Sequence, residues 1–113
     1  MSTISKVATA LSNGKRYLWE TLTNGDDGQP VTESEFPIRS VSVTGTFGSG
    51  GTVVIEGSND GTNYHTLTDL LGVAISFTSD GLKQISEVTN FIRPSVTAGD
   101  GTTDLDVTLI AIK

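Results

Sequence analysis

Apolar and polar residues alternate with a period of two along several short stretches of this sequence. The pattern is clearest from residue 105 to 111, where every second residue is apolar, and it recurs over residues 38–47 and 73–78. Such alternation predicts strands with one face in a core and the other in solvent. Further strands are predicted at residues 17–22, 52–58, 63–67, 82–87 and 91–96.

Clusters of Gly, Asn, Asp and Ser separate these stretches, as expected for tight turns. They lie at residues 24–28, 48–51, 59–61, 79–81 and 98–101. Thr, Val and Ile are abundant, and these β-branched residues favour strands. The sequence therefore predicts an all-β fold: a single antiparallel β-sandwich or jelly-roll of about eight short strands.

Two details of the strand order can be predicted. Residues 52–58 are expected to pair back on residues 38–47 across the glycine loop as a hairpin. Pro94 lies within the strand at 91–96 and cannot donate to a ladder, so this strand is expected at an edge or a bulge.

The first residues show a different spacing. Ile4, Val7, Ala8 and Leu11 follow the i, i+3, i+4, i+7 pattern of one or two amphipathic helical turns. An isolated helix of this length is only marginally stable in water. The segment is therefore expected to be either a loose arm or one that is held by a neighbouring element. We predict an N-terminal arm at residues 1–14 and a β-sandwich domain at 15–113, with Ile4, Val7 and Leu11 as candidate interface residues.

Composition excludes several classes of function. The chain has 113 residues, a net charge of −6 and no cysteine. This charge argues against nucleic acid and anionic lipid as partners, and the missing cysteines exclude disulfides and thiolate metal sites. No apolar run approaches the roughly 20 residues that span a bilayer, so no membrane association is expected. No signal-peptide core is evident, which predicts synthesis in the cytoplasm.

Candidate catalytic chemistry is sparse. His65 is the single histidine, so any histidine-based triad would need it, and a zinc site of the usual His or Cys type cannot be assembled. His65 is interpreted as a partly exposed strand residue. The glycine-rich stretch 45–51 matches no phosphate-binding motif and is interpreted as a loop between strands. We therefore predict no catalytic residues, no cofactor and no enzymatic activity.

Acidic loops and aromatic residues leave two alternatives open. Loop carboxylates could form a calcium site, but they lack a calcium-loop spacing and are better explained as turn residues, so no metal is predicted. Tyr17 and Trp19 could belong to a sugar-binding platform, but core packing is the favoured interpretation. The loop carboxylates are Asp26, Asp27, Asp100, Asp104 and Asp106.

A family resemblance adds to these predictions. The run VVIEGSNDGTNY at 53–64, with Thr66-Leu67 and the later FIRP at 91–94, resembles small virion structural proteins of tailed bacteriophages. The similarity continues through residues 19–31 and 96–107. It implies a virion location and a capsid decoration, or cement, protein that docks on the lattice of the major capsid protein or on other virion proteins. Decoration proteins resemble three-fold plugs, which implies a homotrimer.

Two alternatives to capsid decoration remain. The resemblance also fits a component of the phage neck or tail. Discoidin-like carbohydrate-binding domains share a GSNDG turn followed by an aromatic residue, although this chain lacks their cysteine pair. That second match is an analogy of fold.

Overall fold

Two β-sheets face each other across a shared apolar core. The structure is a computed structural model that describes residues 2–32 and 35–113; Met1, at the start of the predicted arm, lies outside them. Among these residues there is no helix, and twelve strands are present. They are β1 (Thr3–Ile4), β2 (Lys6–Leu11), β3 (Gly14–Leu22), β4 (Asp27–Gly28), β5 (Val31–Thr32), β6 (Ile38–Thr46), β7 (Thr52–Ser58), β8 (His65–Thr66), β9 (Ser76–Phe77), β10 (Gly81–Ile85), β11 (Phe91–Ala98) and β12 (Asp104–Ile112).

The strands divide into a five-stranded and a seven-stranded sheet. The five-stranded sheet has the order β10-β6-β12-β3-β2. The seven-stranded sheet has the order β1-β4-β11-β7-β8, with β5 also paired to β11 and β9 to β7. All pairs are antiparallel except β1 with β4. The predicted all-β sandwich is confirmed.

The period-two pattern explains which side chains form the core. In β12, Leu105, Val107, Leu109 and Ala111 are buried, as predicted. Strand β12 lies at the centre of the five-stranded sheet, between β6 and β3, so its inner face is covered along its whole length. Strand β10, which overlaps the strand predicted at residues 82–87, lies at one edge of the same sheet.

The helical turns predicted near the start of the chain are wrong. Residues Thr3–Ile4 pair in parallel with β4 of one sheet, and Lys6–Leu11 pair with β3 of the other. A two-residue loop at Ser12 and Asn13 joins β2 to β3, which makes this segment a hairpin. The chain therefore crosses from one sheet to the other at Ser5, and the predicted arm is held by its neighbours rather than loose.

The hairpin predicted across the glycine loop is also wrong. Strand β6 lies in the five-stranded sheet and β7 in the seven-stranded sheet, so residues 47–51 cross between the sheets. Thr103 tethers this crossing, because its hydroxyl donates to the carbonyl oxygen of Phe47 at 2.8 Å. The glycine loop therefore forms a corner of the sandwich.

Pro94 does not place its strand at an edge, and the register shift of β11 against β7 lies beyond it, between Val96 and Ala98. Strand β11 lies inside its sheet, with β7 on one side and the short strands β4 and β5 on the other. The N–H of Val96 donates to Asp26 on the β4 side. Because these directions alternate along a strand, the missing N–H of Pro94 would face the same side, in the gap between β4 and β5. The gap lets a proline occupy an interior strand.

Beside this gap, Trp19 links the two sheets through a hydrogen bond. Its side chain, on β3, is 1% exposed, and its Nε1–H donates to the carbonyl oxygen of Gln29 at 2.9 Å. Gly28 leaves the necessary space, since a Cβ there would lie 2.5 Å from Pro94 Cδ and 2.7 Å from Trp19 Nε1. The interpretation of Trp19 as a core residue is confirmed.

Gly28→Ala is expected to destabilise the protein. The added methyl group would collide with the ring of Pro94 and the indole of Trp19, and such overpacking costs about 1–3 kcal/mol. Gly101→Ala is the matched control, because a Cβ at Gly101 meets no atom within 4 Å. Urea denaturation measures both free energies of unfolding. Equal stabilities for the two variants would contradict the packing described here.

Candidate functional site

The three predicted interface residues do not form one stripe. Ile4, on β1, is half-buried and packs against the core. Val7 and Leu11 lie on β2, four residues apart, and therefore on the same face of that strand. Val7 is 55% exposed and Leu11 is half-buried. The structure thus separates Ile4 from the other two.

Strand β2 is the last strand of the five-stranded sheet, and among residues 2–32 and 35–113 no strand pairs with its outer side. Its pairing with β3 matches Leu11 to Gly14 across the two-residue loop, and this register continues to Lys6 and Trp19. The N–H of Lys6 points away from β3 and donates to Gln29 Oε1 at 3.3 Å. By the alternation of an antiparallel ladder, the N–H groups of Ala8 and Ala10 also point away from β3.

A groove of about 430 Å³ runs along the inner face of this edge. It is lined by Lys6, Ala8, Thr9, Ala10, Lys15, Tyr17 and Thr32. The side chains that β2 contributes to the middle of the groove, from Ala8 and Ala10, are short. Lys6 lies towards one end of the groove and Lys15, opposite Ala10, towards the other. Within residues 2–32 and 35–113, no carboxylate forms an ion pair with either lysine.

The charge of this hairpin is opposite to that of the rest of the chain. Lys6, Lys15 and Arg16 are the charged side chains among the first nineteen residues, which contain no Asp or Glu. With a whole-chain charge of −6, the remaining residues carry a net charge of −9. Sequence reasoning missed this site, although the separation of charge was the available signal.

A second surface feature is an apolar turn, which we define as Leu70, Leu71 and Val73. Their side chains are 62%, 88% and 54% exposed. Of the seven large hydrophobic side chains that are exposed in the described part of the chain, five lie between residues 70 and 88. The alternating pattern at residues 73–78 predicts Val73 on the same core face as Ile75 and Phe77, but only the latter two are buried.

Asp69 holds the apolar turn in a fixed shape. Its Oδ1 accepts the N–H groups of Leu71 at 2.9 Å and Val73 at 3.1 Å. Its Oδ2 lies 3.5 Å from Lys83 Nζ on the edge strand β10. These hydrogen bonds, led by that from Val73, lower the pKa of Asp69 below its ordinary value. The leucines are therefore presented on an ordered turn.

The acidic loops serve as turn caps. Asp26 accepts the N–H groups of Ser2 and Thr23, and Asp106 accepts that of Thr21, whose φ is 60°. Asp100 accepts N–H groups from Ser49 and Thr102. Among the described residues, no three His, Asp or Glu side chains meet in an arrangement that could hold a metal ion. The structure does not bring the candidate calcium ligands together.

Asp27, another of the candidate calcium ligands, belongs to a polar network on the outer face of the seven-stranded sheet. The guanidinium of Arg93 lies 3.0 Å from Glu56, 3.9 Å from Asp27 and 3.9 Å from the centre of the Tyr64 ring. Ser95 also donates to Asp27 at 2.6 Å. The charged and hydrogen-bonding groups of this network are paired with one another, which indicates a structural role for Asp27.

None of the aromatic side chains is exposed. All seven aromatic side chains lie in the described ranges, and each is buried or half-buried. Tyr17, Trp19 and Phe77 belong to the core. His65 is exposed on β8, as predicted for a strand residue. In residues 2–32 and 35–113, no helix is long and apolar enough to cross a membrane.

Comparison with known proteins identifies the fold. No protein-family model matches the sequence, and no curated protein sequence matches it. The chain is similar in structure to the SPBc2 prophage-derived protein YomS, with a TM-score of 0.69 and 11% identity over 93% of this chain and 99% of that one. At this identity the likeness shows a shared fold, and the two chains match over nearly their full lengths.

Two other solved structures are more distant. Protein NMB1881 from Neisseria meningitidis gives a TM-score of 0.49 with 9% identity, over 96% of this chain and 83% of that one. Peruvianin-I, a cysteine peptidase from Thevetia peruviana latex, gives 0.41 with 15% identity, over 87% of this chain and 48% of that one. Neither similarity carries an argument about function.

The capping role of Asp100 predicts a dependence of stability on pH. The hydrogen bond from the N–H of Ser49, with those from Thr102, lowers the pKa of Asp100 to about 2 from an ordinary 3.8. The stabilisation is therefore complete above the unfolded-state pKa and is lost as the pH falls through the folded-state pKa. Asp100→Asn should be less stable than the wild type at pH 6, and the difference should shrink between about pH 4 and pH 2. Chemical denaturation across this range measures it; parallel pH profiles would contradict the cap.

Proposed function

We propose that this protein is a non-enzymatic structural component of a bacteriophage particle, and specifically a capsid decoration protein that docks on the assembled shell. The observation that carries the proposal is the ordered apolar turn, whose two adjacent leucines are 62% and 88% exposed. Exposed apolar side chains held in a fixed geometry are typical of protein contact sites.

The fold supports an association with phage. The chain has the same fold as YomS, which is a prophage-derived protein, over nearly the full length of both. The resemblance to small virion structural proteins depends on other features of the chain, namely the EGSNDG turn and the FIRP strand. The two lines agree on a phage protein and support attachment to a particle.

A repeating shell would allow even a small apolar contact to give stable attachment. Complete burial of one leucine contributes about 1.5–3 kcal/mol, so a single apolar turn would bind its partner weakly. Several turns on one oligomer would engage neighbouring lattice points together, and the second contact would then be intramolecular. The homotrimer stays a prediction, as do the major capsid protein as partner and a location in the virion.

The rival carbohydrate-binding function has no comparable support. It would need outward-facing aromatic rings, and the half-buried rings here are occupied in part by other contacts, as in the stacking of Arg93 on Tyr64. A position in the neck or tail remains an alternative location for a structural protein, and the experiment below separates it from the capsid.

Co-sedimentation with particles of the phage that encodes the chain, separated into heads and tails, tests the proposal. The wild type is expected to pellet with heads, and Leu70→Ser/Leu71→Ser is expected to bind at least about tenfold more weakly, because two burial contributions are lost. Ile38→Ser is the matched control, since Ile38 is also an exposed apolar side chain but lies on β6, outside the apolar turn. All three proteins should keep the same melting temperature within a few degrees.

Three results would overturn parts of the proposal. Binding to tails alone would replace capsid decoration with a neck or tail role. Equal binding by the leucine variant and the wild type would show that the apolar turn is not the contact. Association with neither fraction would contradict the structural role in the particle.

A further inference from the structure

The open edge of β2 has the chemistry of a binding site for an extended chain. We propose that this edge binds an acidic polypeptide segment as an added β-strand, which continues the five-stranded sheet beyond β2. The proposal does not depend on attachment to a phage particle, because it concerns what the edge recognises rather than where the protein resides.

Main-chain groups supply the first part of the site. The N–H groups of Ala8 and Ala10 point out of the sheet, and no described residue accepts a hydrogen bond from them. An incoming strand could pair with these groups and the carbonyl oxygens beside them, as in other complexes formed by strand addition. The contact of Lys6 N–H with Gln29 marks where the chain's own pairing on this side ends.

The two lysines define which strand would fit. Lys6 lies on β2, and Lys15 lies on β3 opposite Ala10, with both side chains on the groove side. Lys6 and Ala10 are four residues apart, which is about 13 Å along a strand. An added strand therefore meets the two charges with acidic side chains at positions i and i+4, which share a face.

The centre of the groove determines which side chain the added strand would carry between its two acidic residues. Ala8 and Ala10 are small, and Tyr17, which lies opposite Ala8 on β3, also lines the groove. A larger apolar side chain at position i+2 would fill the space that these alanines leave. The expected ligand is thus an extended segment with the pattern acidic, any, apolar, any, acidic.

A second copy of this chain is a poorer occupant of the same edge. Pairing of β2 with β2 would bring Lys6 and Lys15 of one copy against those of the other, and like charges repel. Lysines on an edge strand commonly prevent this kind of self-association. The same charges attract an acidic strand, so one feature both blocks the wrong partner and selects the right one.

Titration with short peptides tests the inference. The probe is Ser-Glu-Thr-Phe-Thr-Glu-Ser, added to the full chain while the amide resonances of Ala8 and Ala10 are followed by NMR. We expect saturable shifts at these two amides and weaker binding at higher salt. A peptide with Pro in place of both Thr residues keeps the charges but loses main-chain donors, and it should bind at least about tenfold more weakly.

Charge reversal on the protein separates the groove from general electrostatics. Lys15→Glu should reduce the affinity for the acidic peptide about tenfold. Arg16→Glu makes the same change one residue further on, on the opposite face of β3, and should leave the affinity within about twofold. Both positions are outside the core, so both variants should fold.

Four outcomes would overturn the inference. These are no binding of the acidic peptide at millimolar concentration, equal binding of the proline peptide, equal losses in the two charge variants, and displacement of the peptide by inorganic polyphosphate at equal charge. The first would leave the lysines as a block to self-association alone, and the last would indicate a general polyanion site.

Discussion

The hydrogen bond from Trp19 to the carbonyl oxygen of Gln29 joins the two sheets at the edge where the chain begins. The indole reaches from β3 to the far sheet only because Gly28 has no side chain there. An indole that leaves its N–H unpaired in a core incurs a desolvation cost, so this bond and the surrounding packing stabilise the same arrangement. The acceptor, Gln29, directly follows β4, so the bond holds this end of β4 against β3.

The accessible edge follows in turn from the position of β4. Strand β1 pairs with β4, and the carbonyl oxygen of Ile4 accepts the N–H of Gln29 at 2.8 Å. This pairing involves residues 2–4, and the chain then crosses at Ser5 to the other sheet, where β2 begins at Lys6. The first strand of the chain therefore closes one sheet and leaves the outer side of the second sheet open, with cationic side chains beside it.

The sequence predicted those features that depend on local pattern. Residues 52–58 were predicted as a strand and form one with the same bounds, because alternation and flanking turn residues agree there. Partners in the sheet depend on contacts between distant residues, so the interior position of Pro94 could not be predicted. The spacing of Val7 and Leu11 fits a helix and a strand alike, and only the turn at Ser12 and Asn13 distinguishes them. Exposure of Leu71 was likewise inaccessible, since an apolar residue next to a turn fits either face.

Hydrogen exchange at single amides of the free protein tests the central claim, that the N-terminal segment is an ordered edge strand with one open side. The N–H groups of Val7 and Thr9 bond to β3 and should exchange slowly. Those of Ala8 and Ala10 should exchange at least about tenfold faster, because they face solvent. Fast exchange at all four amides would show a loose arm, and slow exchange at all four would show a covered edge; either result would contradict the structure described here.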